Sequence, residues 1–418
     1  MKISAPKGTR DILPAEITRW QWVERAFAET CANYGYQEIR VPTFEYTELF
    51  ERGVGDTTDV VTKEMYTFTD KGGRSLTLRP EGTAGVVRAY IENGMASLPS
   101  PVRLFYDITA FRYENVQKGR YREFHQFGAE AFGAEGPAVD AELIHLLQQY
   151  FARLGLKQTS LHINSIGCPV CRASYNELLR DYLRPHLGTL CETCNVRFEK
   201  NPLRVIDCKV GRCQTVTKNA PALLDNLCSD CAEHFAGLQH HLKLLGIEPV
   251  IDRGIVRGLD YYTRTVFEFV SEHVGTQGTI CGGGRYDGLV ESIGGQPTPG
   301  IGFALGVERL LMELEAQKLE LPQPPLLPLY LAPLPTTRDA AALLCARLRE
   351  RGIGVATDLI GRSLKAQLKY AAKTASAVIV VGDTEVETGK AKLRNLSDGS
   401  ETEISLNDLD NLAELLKK

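Results

Sequence analysis

Hydrophobic positions in residues 15–34 recur at helical spacing, with Val23, Ala26, Phe27, Thr30 and Tyr34 on one face and Gly35 closing the segment. A short strand over 36–41 follows and stops at Pro42. Residues 64–68 and 76–78 read as two strands around a turn at 70–74, and Arg79-Pro80-Glu81-Gly82-Thr83 then leads into a helix over 84–93. Pro80 and Gly82 set the backbone on either side of Glu81, so that its carboxylate can be aimed inward. The stretch 105–132 is the centre of the pattern. Apolar, β-prone runs at 104–109 and 124–132 flank a polar loop carrying Arg112, Lys118, Arg120 and Arg122. Such a hairpin offers fixed side chains along its strands and a cationic tip able to grip polyphosphate. Val139, Leu143, Leu146, Leu147, Tyr150, Phe151 and Leu154 then make an apolar helical face suited to covering a sheet.

A cysteine-rich block at 165–248 interrupts this pattern and reads as an insertion. Strand character returns at 249–252, 265–270 and 278–281, and a Gly-rich strand runs into a helix over 300–311. Hairpin-type strands with helices gathered on one side predict an α+β layer with an antiparallel sheet. A proline-rich linker follows at 321–328. Beyond it, strands at 329–331, 355–357 and 377–381 alternate with helices at 338–351 and 362–374, a small α/β domain with a partly parallel sheet. The expected division is therefore 1–320, interrupted by 165–248, then the linker and 329–418.

Length agrees with two or three domains, since the chain has 418 residues. The formal charge of −4 rules out a general polycationic field, so any nucleic-acid contact must use local basic patches. No apolar run approaches a membrane span and the first residues hold no apolar signal core, which predicts a cytoplasmic protein with no membrane partner. No GxxxxGK[ST] occurs, so a P-loop is excluded, and Gly300–Gly306 has the wrong spacing for a dinucleotide loop. Those glycines instead let a helix begin close to a ligand, with Arg309 in its first turn reaching a phosphate.

Of eleven cysteines, eight fall in four short-spaced pairs: Cys168 and Cys171, Cys191 and Cys194, Cys208 and Cys213, Cys228 and Cys231. Without a secretion signal this pattern points to a structural zinc before disulfides, as two four-cysteine sites in sequential or crossed pairing. The bland alternative is reduced cysteine packed inside a small module.

Three further stretches converge on a family: Phe111-Arg112-Tyr113-Glu114 with its basic loop, RGLDYYTRTVFE at 257–268 and GGGRYDGL at 282–289. With GIGFALGVERL at 300–310, they closely resemble histidyl-tRNA synthetases, class II aminoacyl-tRNA synthetases, and the resemblance spans nearly the whole chain. It implies a class II catalytic domain, a C-terminal anticodon-binding domain and a homodimer formed around the first class II motif near Pro42. The implied substrates are L-histidine, ATP with Mg2+ and histidine transfer RNA.

The chemistry suits the residues. The attacking group is already a carboxylate, so positioning and charge stabilisation replace an enzymic nucleophile. By resemblance, Arg112 and Arg257 grip the α-phosphate, Arg120 and Arg309 hold the outer phosphates, and Phe124 stacks on adenine. Glu81, Thr83 and Gln126 match the family's contacts to the amino group, while Glu130, Tyr262 and Tyr286 surround the imidazole with Tyr261 beside them. A buried Glu81 without a cation is expensive, which argues for an ammonium partner. Because adjacent strand residues face opposite ways, at most one of Tyr261 and Tyr262 is expected to face the pocket, and Tyr262 is favoured.

The chain departs from the family at Asn115-Val116, where many bacterial members carry Arg-Pro. That arginine is implicated in reading the extra 5′ guanine of histidine transfer RNA; Asn115 keeps a hydrogen-bond donor without the charge. In the tail, Arg362, Lys365, Lys369 and Lys373 form a basic stripe opposite Leu364, Leu368 and Ala371, suited to phosphate contact. The rival reading is the histidine-binding regulatory paralogue of ATP phosphoribosyltransferase, which generally lacks the C-terminal domain and loses active-site residues. Class I synthetases are disfavoured because neither HIGH nor KMSKS occurs.

Overall fold

The computed structural model describes residues 3–55, 58–271, 273 and 278–417. The chain divides into two compact units, Met1–Pro322 and Gln323–Lys418. In the first, helix α1 (Pro14–Asn33) precedes β1 (Gln37–Glu38), β2 (Phe44–Tyr46), α2 (Thr47–Val54), β3 (Tyr66–Thr69) and β4 (Ser75–Leu78). Then come α3 (Thr83–Glu92), the long hairpin β5 (Val102–Phe111) and β6 (Glu123–Phe132), α4 (Pro137–Arg153) and β7 (Ser160–Ser165). Five helices follow: α5 (Pro169–Leu183), α6 (Glu192–Lys200), α7 (Leu203–Ile206), α8 (Gly211–Thr217) and α9 (Ser229–Leu244). The unit closes with β8 (Val250–Ile251), β9 (Thr263–Val270), β10 (Thr279–Arg285), α10 (Leu289–Ser292), β11 (Gly300–Gly306) and α11 (Val307–Ala316).

Among the described residues eight of these strands build one sheet in the order β1-β5-β6-β11-β10-β9-β7-β8, antiparallel except for the β1/β5 and β7/β8 pairs, and β2, β4 and β3 form a separate antiparallel sheet in that order. The fold is α+β, as the hairpin spacing predicts. Alternation along β6 explains where the site lies. Phe127, Ala129 and Ala131 enter a core with Phe27 of α1, Leu147 of α4, Leu238 of α9 and Leu310 of α11. Each fully buried Phe there contributes about 1.5–3 kcal/mol relative to exposure. Gln126, Gly128 and Glu130 therefore face the opposite side, beneath α3. A polar patch survives on a sheet whose other face is dry.

Several elements depart from the sequence pattern. The strand expected at 36–41 shrinks to the two residues of β1, and the one expected at 278–281 runs on to Arg285, because its three glycines stay in the ladder. The cysteine-rich block is helical between β7 and β8. Unit 2 holds β12 (Leu327–Pro333), α12 (Arg338–Glu350), β13 (Val355–Thr357), α13 (Leu364–Thr374) and β14 (Ala375–Val381). It continues through α14 (Asp383–Thr388), β15 (Lys390–Asn395), β16 (Glu401–Ser405) and α15 (Leu409–Lys417). Its sheet, ordered β13-β12-β14-β15-β16, is parallel at β12 and antiparallel beyond β14. Its two faces hold separate apolar cores, one with α12 and α15 and one with α13.

Candidate active site

The β5–β6 hairpin delivers two of its four loop cations to a cavity of about 200 Å3, whose walls include Arg112, Arg120, Phe124, Gln126, Arg257 and Arg309. Arg112 is locked in place. Its Nε donates to the Pro80 carbonyl at 2.8 Å and its guanidinium lies over the Phe124 ring at 5.3 Å. Arg120 faces Glu114 at 3.5 Å. Arg122, by contrast, stacks on Tyr113 at 3.7 Å and donates to the Glu114 carbonyl, so it is spent on holding the loop, and Lys118 is exposed. A sequence pattern counts cations; it does not show which ones the loop's own packing consumes.

Arg257 reaches the cavity from the opposite side, from the loop before β9. It forms an ion pair with Glu268 and lies 5.8 Å from the Tyr262 ring. Burial opposes its charge, but the Glu268 carboxylate outweighs that and holds its pKa above the ordinary arginine value. Its Nε is buried without a hydrogen-bond partner among the described residues. Gly282 on β10 makes room for it: a Cβ there would lie 2.5 Å from the guanidinium. Arg309 donates to the Thr279 carbonyl at 2.6 Å from the first turn of α11, and burial pulls its pKa down.

Behind Gln126 lies a cluster of buried polar side chains. Glu81 accepts from the backbone N–H groups of Thr83 and Ala84, each at 2.8 Å, and so caps α3. This revises the sequence argument: the carboxylate has partners without a cation, although burial still raises its pKa. Glu130, fully buried on β6, accepts from Thr83 Oγ1 at 2.7 Å, Tyr106 OH at 3.3 Å and Tyr286 OH at 2.5 Å. Burial pushes its pKa up to about 8. With three hydroxyls against it, the carboxyl has little hydrogen-bonding capacity left for a further partner. Gln126 Oε1 is buried and without a partner among the described residues, the signature of a group awaiting a donor.

Tyr261 and Tyr262 correct a second expectation. Strand β9 begins at Thr263, so the pair lies on the preceding turn, where strand alternation does not apply. Their rings pack 4.6 Å apart, and Tyr261 also meets Tyr286 at 5.8 Å. Burial raises the pKa of each, and the charges at Glu81 and Glu130 push the same way. Tyr261 thus reaches Tyr286, whose hydroxyl meets Glu130, and Tyr262 packs beside Tyr261. Tyr106 was not foreseen. Its ring fills the space left by two missing side chains, since a Cβ on Gly82 or Gly128 would come within 2.4 or 2.2 Å of it. Only the register, which sets Tyr106 opposite Gly128, reveals this role.

Among the described residues the eight paired cysteines form two clusters, Cys168/Cys171/Cys228/Cys231 and Cys191/Cys194/Cys208/Cys213, with all sulfurs of a cluster within 4.8 Å. The pairing is nested, outer pair with outer and inner with inner, rather than sequential or crossed. In unit 2, Arg362 precedes α13, pairs with Asp358 at 3.1 Å and lies over Tyr370 at 4.6 Å. The basic stripe is therefore reduced to Lys365, Lys369 and Lys373, all exposed.

Comparison with known proteins adds the following. A family model described as histidyl-tRNA synthetase matches residues 8–178 and 199–310, and one described as an anticodon binding domain matches 329–417. A histidine–tRNA ligase of Acetivibrio thermocellus is 61% identical over 411 residues, covering 98% of this chain and 99% of the relative. One from Caldanaerobacter subterraneus is 50% identical at 98% and 99% coverage. The crystal structure of apo Staphylococcus aureus histidyl-tRNA synthetase superposes with a TM-score of 0.84 at 39% identity and covers 100% of both chains.

Proposed function

The chain belongs to the histidyl-tRNA synthetase family, and from that premise we propose how its residues share the work. It is a class II histidine–tRNA ligase. It joins L-histidine to transfer RNA with ATP, as its magnesium complex, and the regulatory-paralogue reading is not favoured. In the first step a histidine carboxylate oxygen attacks the α-phosphorus of ATP, pyrophosphate leaves, and histidyl-adenylate forms. In the second, a terminal ribose hydroxyl of the transfer RNA attacks the activated carbonyl and AMP leaves.

Arg112 and Arg257 take the charge that builds on the α-phosphate. The observation carrying this reading is that two immobilised guanidinium groups, one from each side, line a single cavity. Arg120 and Arg309 hold the outer phosphates and Phe124 stacks on adenine. Glu81, Thr83 and Gln126 receive the ammonium; Glu130, Tyr262, Tyr286 and Tyr261 enclose the imidazole, with one ring N–H given to Glu130. A site that hydrogen-bonds both ring nitrogens can reject analogues lacking them by about 10⁴–10⁵. The test is ATP–pyrophosphate exchange with each of the twenty amino acids. Histidine alone should stimulate it, and Arg112→Ala or Arg257→Ala should lower the rate by about 10²–10³. Comparable stimulation by another amino acid overturns the assignment.

The cysteine clusters fit structural zinc. Four thiolates at bonds of about 2.3 Å around a tetrahedral ion stand about 3.8 Å apart, and the sulfurs of Cys168 and Cys171 are 3.6 Å apart, those of Cys191 and Cys208 3.9 Å. The ion would cross-link helices and take no part in catalysis. A homodimer through the β2–β4–β3 sheet is supported by its exposed Phe44, Tyr46 and Phe68; sedimentation as a monomer at micromolar concentration would count against it. Lys365, Lys369 and Lys373 contact transfer-RNA phosphates. Among the described residues no helix is long and apolar enough to cross a membrane, and a cytoplasmic location is the one we assign.

A further inference from the structure

The RGLDYY loop at 257–262 is not part of the sheet, yet it presents Arg257 to the cavity and Tyr262 to the polar cluster. Glu268 on β9 holds the Arg257 guanidinium, and ties from outside the ladder hold the loop's backbone. One tie comes from α2, whose Val54 carbonyl accepts from the Asp260 N–H at 3.1 Å. The other comes from the cysteine-rich helices. Arg204 on α7, whose side chain is only 7% exposed, donates from Nη1 to the Arg257 carbonyl at 2.6 Å, and its Nε stands 4.0 Å from Asp260 Oδ1. Asn201 donates to the same Asp260 oxygen at 3.1 Å. A buried guanidinium aimed at the backbone of Arg257 is more than packing. It spends a charged group on one carbonyl oxygen, and the strength of such charge-assisted bonds makes them good position-setters.

The placement of Arg204 is itself over-determined. It lies between Cys194 and Cys208, within the segment that the Cys191/Cys194/Cys208/Cys213 cluster closes into a loop. Arg197 braces it from α6 by donating to the Arg204 carbonyl at 3.3 Å while pairing with Asp59 at 2.9 Å. We infer that Arg204 is a positioning residue for adenylate formation: it holds the Arg257 backbone so that the guanidinium meets the α-phosphate, which makes the cysteine-rich insertion a working part of the active site. This rests on the reading of Arg257 given above. Arg204 itself touches neither the cavity nor the polar cluster, and acts only through the loop.

The experiment is ATP–pyrophosphate exchange by the full-length protein with histidine, normalised to active sites by the adenylate burst. Misplacing a catalytic group by about 1 Å can cost on the order of 100-fold, so Arg204→Ala should lower kcat by about 10–100-fold with a smaller change in KM for histidine. Arg204→Lys, which keeps one donor for the Arg257 carbonyl, should recover part of that loss. Because the two residues act as one unit, adding Arg204→Ala to Arg257→Ala should cost less than about twofold more. Full kcat per active site in Arg204→Ala, or losses that multiply in the double variant, overturn the inference. If Arg204→Ala does not fold, Arg204→Lys and Asn201→Ala carry the test, and unchanged kcat in both sinks it. If Arg257→Ala keeps wild-type exchange, the role of Arg257 is what fails.

Discussion

Glu130 shows how a single residue ties stability to specificity. A free glutamate loses its proton near pH 4.3, whereas burial lets this one keep it to about pH 8. Between those values the folded protein holds a proton that the unfolded chain has released, so stability falls as pH rises through that window. Glu130→Gln removes the titration and keeps the shape. Its melting temperature should exceed the parent's at pH 8, and the gap should close as pH falls toward 5, while histidine-dependent exchange drops because an amide cannot ionise beside the imidazole. Thermal melts at several pH values check this; curves that run parallel for the two proteins would refute it. Much at this scale was legible in the sequence: Glu81, Thr83, Gln126 and Glu130 sit in stretches whose chemistry is recognisable. What was not legible depends on register. Tyr106 owes its place to Gly128 across the ladder, and Gly302 is needed because a Cβ there would lie 1.6 Å from the Glu130 carboxylate. Likewise the buried Arg285 meets Asp140 at 2.9 Å across a sequence gap that no spacing rule covers.

Elements were legible where an apolar pattern was long. The hairpin strands β5 and β6 and the helices α1 and α4 follow from it directly, whereas β1 and β2 are too short to leave a period, and the five helices α5–α9 are masked by cysteine and charge. Tyr175, Leu179, Leu183 and Phe198 give those helices an apolar core of their own, and Cys171, Cys194 and Cys213 of the two thiol clusters are buried in it. Structural zinc in small modules contributes about 10–16 kcal/mol of apparent binding free energy, which is folding free energy there. Protein purified without chelator should therefore carry about two zinc ions per chain, one for each four-thiolate cluster. Stripping them should lower the melting temperature and reduce the helical circular dichroism while the sheet persists. A metal-free protein with an unchanged melting curve would leave packed thiols as the better account. The nested pairing could not be read from spacing, since nineteen residues separate the first two pairs in either arrangement and only the helical path brings Cys168 back to Cys228.

At the scale of the molecule each of the two units carries its own apolar core. On the roles proposed above, amino-acid activation uses the cavity and the buried polar cluster of the first unit. Charging needs a bound transfer RNA, and a chain of net charge −4 cannot attract one by its overall field. Attraction must come from patches, and Lys365, Lys369 and Lys373 give unit 2 an exposed one. Deleting residues 323–418 should therefore leave ATP–pyrophosphate exchange within about twofold of the intact protein while transfer-RNA charging collapses. Replacing the three lysines with glutamate in the full chain should raise the KM for transfer RNA without touching exchange. Each lost phosphate contact should also flatten the salt dependence of binding by about one unit of slope. Binding assays across a salt series separate the cases. A triple variant with the parent's slope would mean that the nucleic acid is held elsewhere on unit 2, and a truncated protein that still charges at the parent's rate would remove that unit from recognition altogether.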